Sequence, residues 1–329
     1  MITERQKSIL KMIVEEYIKD PVPIGSSAIC NILNCSSATV RNDMAYLEDA
    51  GFLEKTHTSS GRVPSEKGYR YYVDYLMKPK EMTGEDMLKL QTIFDNKSLV
   101  LSDVISRSIE IISEITNCTS IALGSNSSKN NLKQVEVVPL SENSLIAIVV
   151  TDKGYIEHKQ LNINGNVILE DIKKVVELIN KLLVGTPLDE ISGKLEYEIK
   201  PIIANYVKSH ETLYQAFYNA FNEFSMKNHM HMAGRTKLLD YREFDNVEKV
   251  KQLLDKFDNE DLIKKIETAD KDVNVYIGHE SNFDDDVSVI NTKYSINGEE
   301  GTIAIIGPKR MDYEKVVSLL GYLKDNLER

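Results

Sequence analysis

The sequence predicts an α+β chain with an N-terminal winged helix-turn-helix, followed by a body in which strands flank a mainly helical block. Three features carry this expectation. Residues 1–78 divide into short helices and two strands marked by caps, prolines and glycines. Strand-like runs then fall in two separate clusters. Between those clusters, apolar residues recur at helical spacing.

In the N-terminal part, Ile9, Leu10, Ile13, Val14 and Tyr17 recur at three- and four-residue steps and predict an amphipathic helix over 4–19, ended by Pro21 and Pro23. A second helix runs from Ser26 to Leu33, capped at Gly25 or Ser26. The turn Asn34-Cys35-Ser36 leads into a third helix, capped by Ser36 or Ser37, with Val40, Met44 and Leu47 facing inward and Gly51 as its C′ residue. Phe52 to Thr56 and Arg62-Val63-Pro64 read as two strands joined by the tight loop Thr58-Ser59-Ser60-Gly61. Ser65 caps a fourth helix with Tyr69, Tyr72, Val73 and Leu76 on its inner face.

Lys78-Pro79-Lys80-Glu81-Met82-Thr83-Gly84 has the composition of a linker, taken to span 79–95. A long helix follows, marked by Leu101, Val104, Ile105, Ile112 and Ile115, and then strands near 119–124, 133–139, 144–151 and 155–162. The helical block carries Ile172/Val175/Val176/Ile179, Ile199/Ile202/Ile203 and Leu213/Phe217/Phe221/Phe224 stripes, the last of these either core or interface. Another helix with Val247, Val250, Leu253, Leu254 and Phe257 precedes three more strands, and a helix with Val316, Leu320, Leu323 and Leu327 closes the chain. The expected domains are therefore 1–78, a split α+β domain at 96–164 and 241–329, and an insertion at 165–240.

A hydrophobic content of 42% and a charged content of 28% are ordinary for a soluble protein. No apolar run reaches the ~18 residues of a membrane span, and the polar N-terminus lacks the apolar core of a signal peptide. Three cysteines without metal spacing fit a reducing cytoplasm, so a cytoplasmic location is expected. The net charge of −11 argues against nucleic acid until its distribution is considered. Residues 1–78 hold ten basic and ten acidic residues, so the rest of the chain carries the whole excess. That is the partition of a DNA-reading head on a non-binding body.

In a helix-turn-helix the second helix of the motif enters the major groove. With Val40, Met44 and Leu47 inward, Thr39, Asn42 and Tyr46 point outward, and Arg41 lies on the flank. Asn42 suits adenine, Thr39 a base edge or thymine methyl, and Arg41 a guanine or phosphate. Ser36 and Ser37 stand at a helix N-terminus, where a phosphate is favoured. In the wing, His57, Ser59, Ser60 and Arg62 surround Gly61 and suit a minor-groove or backbone contact. The same residues also fit a protein-binding winged helix, with Arg41 paired to a nearby carboxylate such as Asp43 or Asp49, and Cys30 and Cys35 read as small hydrophobes.

Ser36-Ser37-Ala38-Thr39-Val40-Arg41-Asn42-Asp43-Met44, then Leu47-Glu48, His57-Thr58-Ser59-Ser60-Gly61-Arg62-Val63-Pro64 and Lys67-Gly68-Tyr69-Arg70-Tyr71-Tyr72-Val73-Asp74 closely resemble the HrcA family, the heat-inducible repressors of bacterial chaperone operons. The segment Ile306-Gly307-Pro308-Lys309-Arg310-Met311-Asp312-Tyr313 is also similar to that family's closing segment, whereas 165–240 is only weakly so. The resemblance implies a homodimer that binds an inverted-repeat operator upstream of chaperone genes and depends on the chaperonin GroEL. It further implies that the split domain is GAF-like and that the insertion dimerises. It implies neither catalysis nor an obligatory cofactor. A GAF-like domain also leaves open a metabolite-responsive regulator with an effector pocket there.

Other clusters carry less. His229-Met230-His231-Met232 lacks a third metal ligand at a known spacing, and Asp284-Asp285-Asp286 lacks the spacing of a calcium loop. Gly307-Pro308-Lys309-Arg310 matches no phosphate loop and reads as a strand-to-helix connection. No nucleophile–base arrangement is visible, so no enzyme is expected.

Overall fold

The computed structural model describes residues 2–33, 35–56, 61–96, 99, 101–124, 130–141, 144–152, 154, 156–163, 167–206, 210–226, 230–259, 266, 272–296 and 299–328. The chain forms two units, residues 1–123 with 231–329, and residues 124–230.

The first unit begins with α1 (Glu4–Lys19), α2 (Ser26–Leu33) and α3 (Ser37–Asp49), then the paired strands β1 (Leu53–Lys55) and β2 (Arg62–Pro64), then α4 (Glu66–Tyr71), which continues as a π-helical turn over Tyr72–Leu76. These are the expected winged-helix elements. Thr3 caps α1 by accepting from the Gln6 N–H at 3.3 Å, and the Gln6 side chain accepts from the Thr3 N–H at 2.9 Å. Ser65 caps α4 and also donates to the Gly51 carbonyl at 2.6 Å, which joins α4 to the end of α3. Gly68 is required by close approach, because a Cβ there would lie 2.1 Å from the Phe52 carbonyl oxygen. Tyr69 and Tyr72 are buried, Tyr71 is half-buried and Tyr75 is exposed, so this tyrosine run is core and rim.

The stretch expected to be a linker is largely helical. α5 (Gly84–Phe94) is capped by Thr83, which accepts from the Asp86 N–H at 3.1 Å, and it buries Leu90 and Ile93. The segment before it is tied down, since the Lys78 N–H donates to Glu314 Oε1 at 3.1 Å and Lys80 pairs with Asp312 at 3.7 Å. A lone polar-rich stretch reads as a linker in sequence because these partners lie more than 200 residues away.

α6 (Leu101–Thr116) leads to β3 (Thr119–Leu123), which joins β7 (Met230–Ala233), β8 (Val273–Ile277), β9 (Val287–Ile296) and β10 (Glu299–Pro308) in a five-stranded sheet of order β7-β3-β10-β9-β8. β10 pairs antiparallel with β3 and β9, and β9 with β8. α11 (Val247–Phe257) precedes β8, and α12 (Tyr313–Leu327) closes the chain. One core runs without a break from Ile9, Leu10 and Ile13 of α1 through Tyr69 and Tyr72 to Ile290, Ile305, Tyr313 and Leu320.

In the second unit, β4 (Leu132–Ser141), β5 (Ser144–Thr151) and β6 (Ile156–Asn162) form their own antiparallel sheet. They pack with α7 (Leu169–Leu183), α8 (Leu188–Lys194), α9 (Lys200–Tyr206) and α10 (His210–Met226) around a separate core. This corrects the expected boundaries 96–164 and 165–240. The strands near 133–162 belong with the helical block, because Leu145, Ala147 and Val149 alternate onto Val175, Ile179 and Leu183. Asn180 of α7 fixes this arrangement by bonding both the N–H and the carbonyl of Val135, each at 2.8 Å, along the edge strand β4. Leu213, Phe217 and Phe221 are core of this unit, while the Phe224 side chain lies outside the described residues. Among the described residues no helix is long and apolar enough to cross a membrane.

Candidate nucleic-acid interface

Helix α3 begins at Ser36, whose extended backbone and side chain, accepting from the Thr39 N–H at 3.1 Å, form the N-cap. It ends in a Schellman arrangement, with Phe52 N–H bonded to the Leu47 carbonyl and Gly51 N–H to the Glu48 carbonyl, both at 2.8 Å. Gly51 takes φ +78°, which explains the glycine there. Lys67 adds a cation at this helix end, donating to the Ala50 carbonyl at 2.8 Å while its ammonium lies 4.6 Å from the Phe52 ring centroid.

Val40, Met44 and Leu47 form the buried face as expected, joined by Asp43. The Asp43 carboxylate accepts from Arg5 Nε at 2.6 Å and from Gln6 Nε2 at 3.1 Å. Asp43 is thus committed to α1, which leaves Arg41 exposed and without an ion pair among the described residues. Asn42 is exposed beside it and likewise makes no side-chain hydrogen bond among the described residues. Tyr46 is 47% exposed on the same side. Ser36 and Ser37 are exposed at the N-terminus, and the Ser37 hydroxyl meets that of Ser26 at 3.2 Å, tying α2 to α3. The half-buried Thr39 keeps its hydroxyl 2.8 Å from Ser36 Oγ, inside the cap.

Arg62 departs from its expected place as a cationic wing tip. Its Nη2 and Nε lie 2.6 and 2.7 Å from Glu48 Oε2 of α3, and its main chain exchanges two 2.9 Å bonds with Ile24. It is a brace between wing and recognition helix. The sign of its charge is visible in sequence, but Glu48 is brought to it only by the antiparallel return of β2. Beside it, Gly61 packs on Pro23, whose backbone would be 2.7 Å from a Cβ. His57, Ser59 and Ser60 lie outside the described residues.

The remaining clusters are accounted for by local partners. Asp284 pairs with Lys256 at 2.7 Å, and Asp286 with Lys249 at 2.5 Å and Lys309 at 3.9 Å, in a groove of about 500 Å³. Arg310 pairs with Glu243 at 2.5 Å and stacks over Tyr241. Sequence spacing does not reveal these pairs, because Lys256 and Asp284 stand 28 residues apart and Glu243 and Arg310 stand 67 apart. His229 lies outside the described residues, and β7 carries the other members of that run at the sheet edge.

A winged helix whose recognition helix presents Arg41 and Asn42 unpaired among the described residues, together with an α+β body, defines a DNA-binding transcription regulator. Residues 1–73 match the family described as winged helix-turn-helix transcription repressor, HrcA DNA-binding, and residues 102–317 match the HrcA protein C terminal domain. The chain belongs to the HrcA family of heat-inducible transcription repressors, which are not enzymes. It is 35% identical over 333 aligned positions to the heat-inducible transcription repressor HrcA of Bacillus pumilus (strain SAFR-032), covering 99% of this chain and 97% of that one. A solved crystal structure described as that of a hypothetical protein superposes with a TM-score of 0.69 at 21% identity, over 99% of this chain and 98% of the other, and so shares the fold.

Proposed function

We propose that this repressor acts in the cytoplasm as a homodimer, each head reading one half of an inverted-repeat operator upstream of chaperone genes, with its active fraction raised by the chaperonin GroEL. The carrying observation is the polar face of α3, where Arg41 and Asn42 are exposed and unpaired among the described residues. Polar groups left unpaired on a rigid, capped helix are available to bases at little reorganisation cost. Asn42 pairs with adenine, Arg41 with guanine or a flanking phosphate, and Tyr46 and the Thr39 methyl line the groove. The N-terminal amides beside Ser36 and Ser37 receive a phosphate. His57, Ser59 and Ser60 supply the wing contact, with Arg62 orienting the wing through Glu48.

The inserted unit supplies the dimer surface. Val138 and Leu140 of β4 and Ile156 of β6 are exposed apolar residues on its sheet, and a second copy would cover them. The split sheet with α6 and α12 corresponds to a GAF-like body in this reading. Heat lowers the native fraction, because a loss of ~1–2 kcal/mol depletes a marginally stable protein several-fold. The chaperonin dependence rests on the family resemblance. Selection of bound sequences from random duplex DNA, with and without GroEL, tests the whole assignment. A palindromic product enriched by the chaperonin is expected, and a non-palindromic or chaperonin-independent product overturns it.

A further inference from the structure

Helix α2 closes with a backbone bond from the Cys35 N–H to the Cys30 carbonyl, 3.4 Å long. The bond that closes α3, Phe52 N–H to the Leu47 carbonyl, spans the same five residues. At helix ends closed by such a bond, the side chains of the two bonded positions frequently pack against each other. In α2 both are cysteines. Residues joined by a backbone hydrogen bond hold their Cα atoms at a spacing comparable to the ~4.4–6.8 Å that a disulfide spans. Both are partly exposed, and both pack at the edge of the same core. The third thiol differs: Cys118 is buried, and burial pushes its pKa up to about 12, which removes the thiolate that exchange requires.

We propose that Cys30 and Cys35 form a reversible intramolecular disulfide, a redox-sensitive site that weakens DNA binding when oxidised. The effect on DNA rests on the assignment of α3 as the reading helix, whereas bond formation does not. With a small-molecule disulfide as oxidant, one cysteine thiolate attacks a sulfur of the reagent and expels the first thiolate. The second cysteine then attacks the protein-side sulfur of the mixed disulfide and expels the other. The two cysteines lose two hydrogens and two electrons, and the reagent leaves as two thiols.

In the reduced form each thiol is satisfied separately. Cys30 Sγ donates to the Ser26 carbonyl at 2.8 Å, and Cys35 Sγ to the Leu33 carbonyl at 3.3 Å. Bridging breaks both contacts and turns both side chains. Cys35 directly precedes Ser36, the cap of α3, and the Ser26–Ser37 hydroxyl contact crosses the same seam. A bridge that moves Cys35 therefore moves the start of the reading helix, where Thr39 and Asn42 sit.

The test uses the full chain incubated with oxidised glutathione, then read by intact mass, by peptide mapping and by gel shift on the duplex that the reduced protein selects. Loss of two hydrogens mapped to Cys30–Cys35 is expected, with affinity about tenfold weaker, the scale of one lost base contact, and restored by dithiothreitol. C118S behaves as wild type. C30S/C35S binds like the reduced protein and ignores the oxidant, and C30A and C35A, should the double variant melt early, each lose no hydrogens to a bridge and at most add one glutathione at the remaining thiol. Stable glutathione adducts without a bridge, or a bridged protein of unchanged affinity, overturn the proposal. A reduced protein that selects no sequence counts against the DNA assignment, and the mass measurement still decides whether the bond forms.

Discussion

The Arg70 guanidinium of α4 donates to the Val275 carbonyl of β8 at 2.6 Å, joining winged helix and split sheet across 205 residues of sequence. Arg70 also lies 3.2 Å from Glu280 and 3.1 Å from Asp74, and Glu66 one turn earlier contacts His279. Gly278 at this junction takes φ +56°, the left-handed region that favours glycine. The winged helix is thus held against the split sheet by charge-assisted bonds around a continuous core.

Replacing Arg70 with alanine removes the bond to Val275 and leaves Glu280 without this cation. A loss of ~1–3 kcal/mol is expected from hydrogen bonds to a charged group. Denaturant unfolding should show the lower midpoint, and hydrogen exchange should show faster opening in α4. An unchanged midpoint would mean that the packed core alone holds the head.

Arg41→Ala and Asn42→Ala should each weaken operator binding by ~1–3 kcal/mol with no change in melting temperature, because neither side chain has an intramolecular partner among the described residues. Arg62→Ala should behave differently. It removes the pair with Glu48, so melting temperature falls and binding to all sequences weakens together. Gel-shift titrations on matched and mismatched duplexes, beside thermal melts, separate the two patterns.

Tyr69 and Tyr313 pack with ring centroids 6.0 Å apart and planes tilted by 50°, yet their hydroxyls differ. Among the described residues Tyr69 Oη is buried without a hydrogen-bond partner, whereas Tyr313 donates to the Lys309 carbonyl at 2.5 Å and meets Ser288 Oγ at 2.9 Å. Tyr69→Phe should therefore be neutral or stabilising, and Tyr313→Phe should cost ~1–2 kcal/mol by stranding buried partners. Paired urea melts check the contrast, and equal costs would contradict it.

Burial by itself would raise the Asp284 carboxyl, but bonds from Lys256 Nζ at 2.7 Å and from the Asp286 N–H at 2.9 Å outweigh it and hold the carboxyl below its usual value. A depressed folded-state value favours the folded state above the unfolded carboxyl pKa, and that stability is lost as pH falls through the folded value. Asp284→Asn should thus be less stable than wild type at neutral pH, with the gap closing below about pH 4. Thermal melts across that range provide the measurement.

Helix α3 was legible in sequence because its determinants are local: Ser36 caps it, Val40, Met44 and Leu47 give its period, and Gly51 ends it within sixteen residues. The same holds for the wing and for the order of strands and helical block in the body. Strand existence follows from alternation, but alternation does not specify which core an apolar face joins. Hence β4 to β6 read as part of the split sheet until α7 covered them and Asn180 bonded their edge. The supposed linker became α5 for the same reason, since its anchors Glu314 and Asp312 are distant in sequence.

Caps, turns and helical period act over a few residues, so the winged helix, the outward positions of Arg41, Asn42 and Tyr46 and the family are legible along the chain. Which polar side chains remain available is settled by packing. Asp43 goes to Arg5 and Gln6, Glu48 goes to Arg62, and Arg41 and Asn42 are left facing outward. Ion pairing depends on separation in space, which the chain sets only once its distant segments have packed.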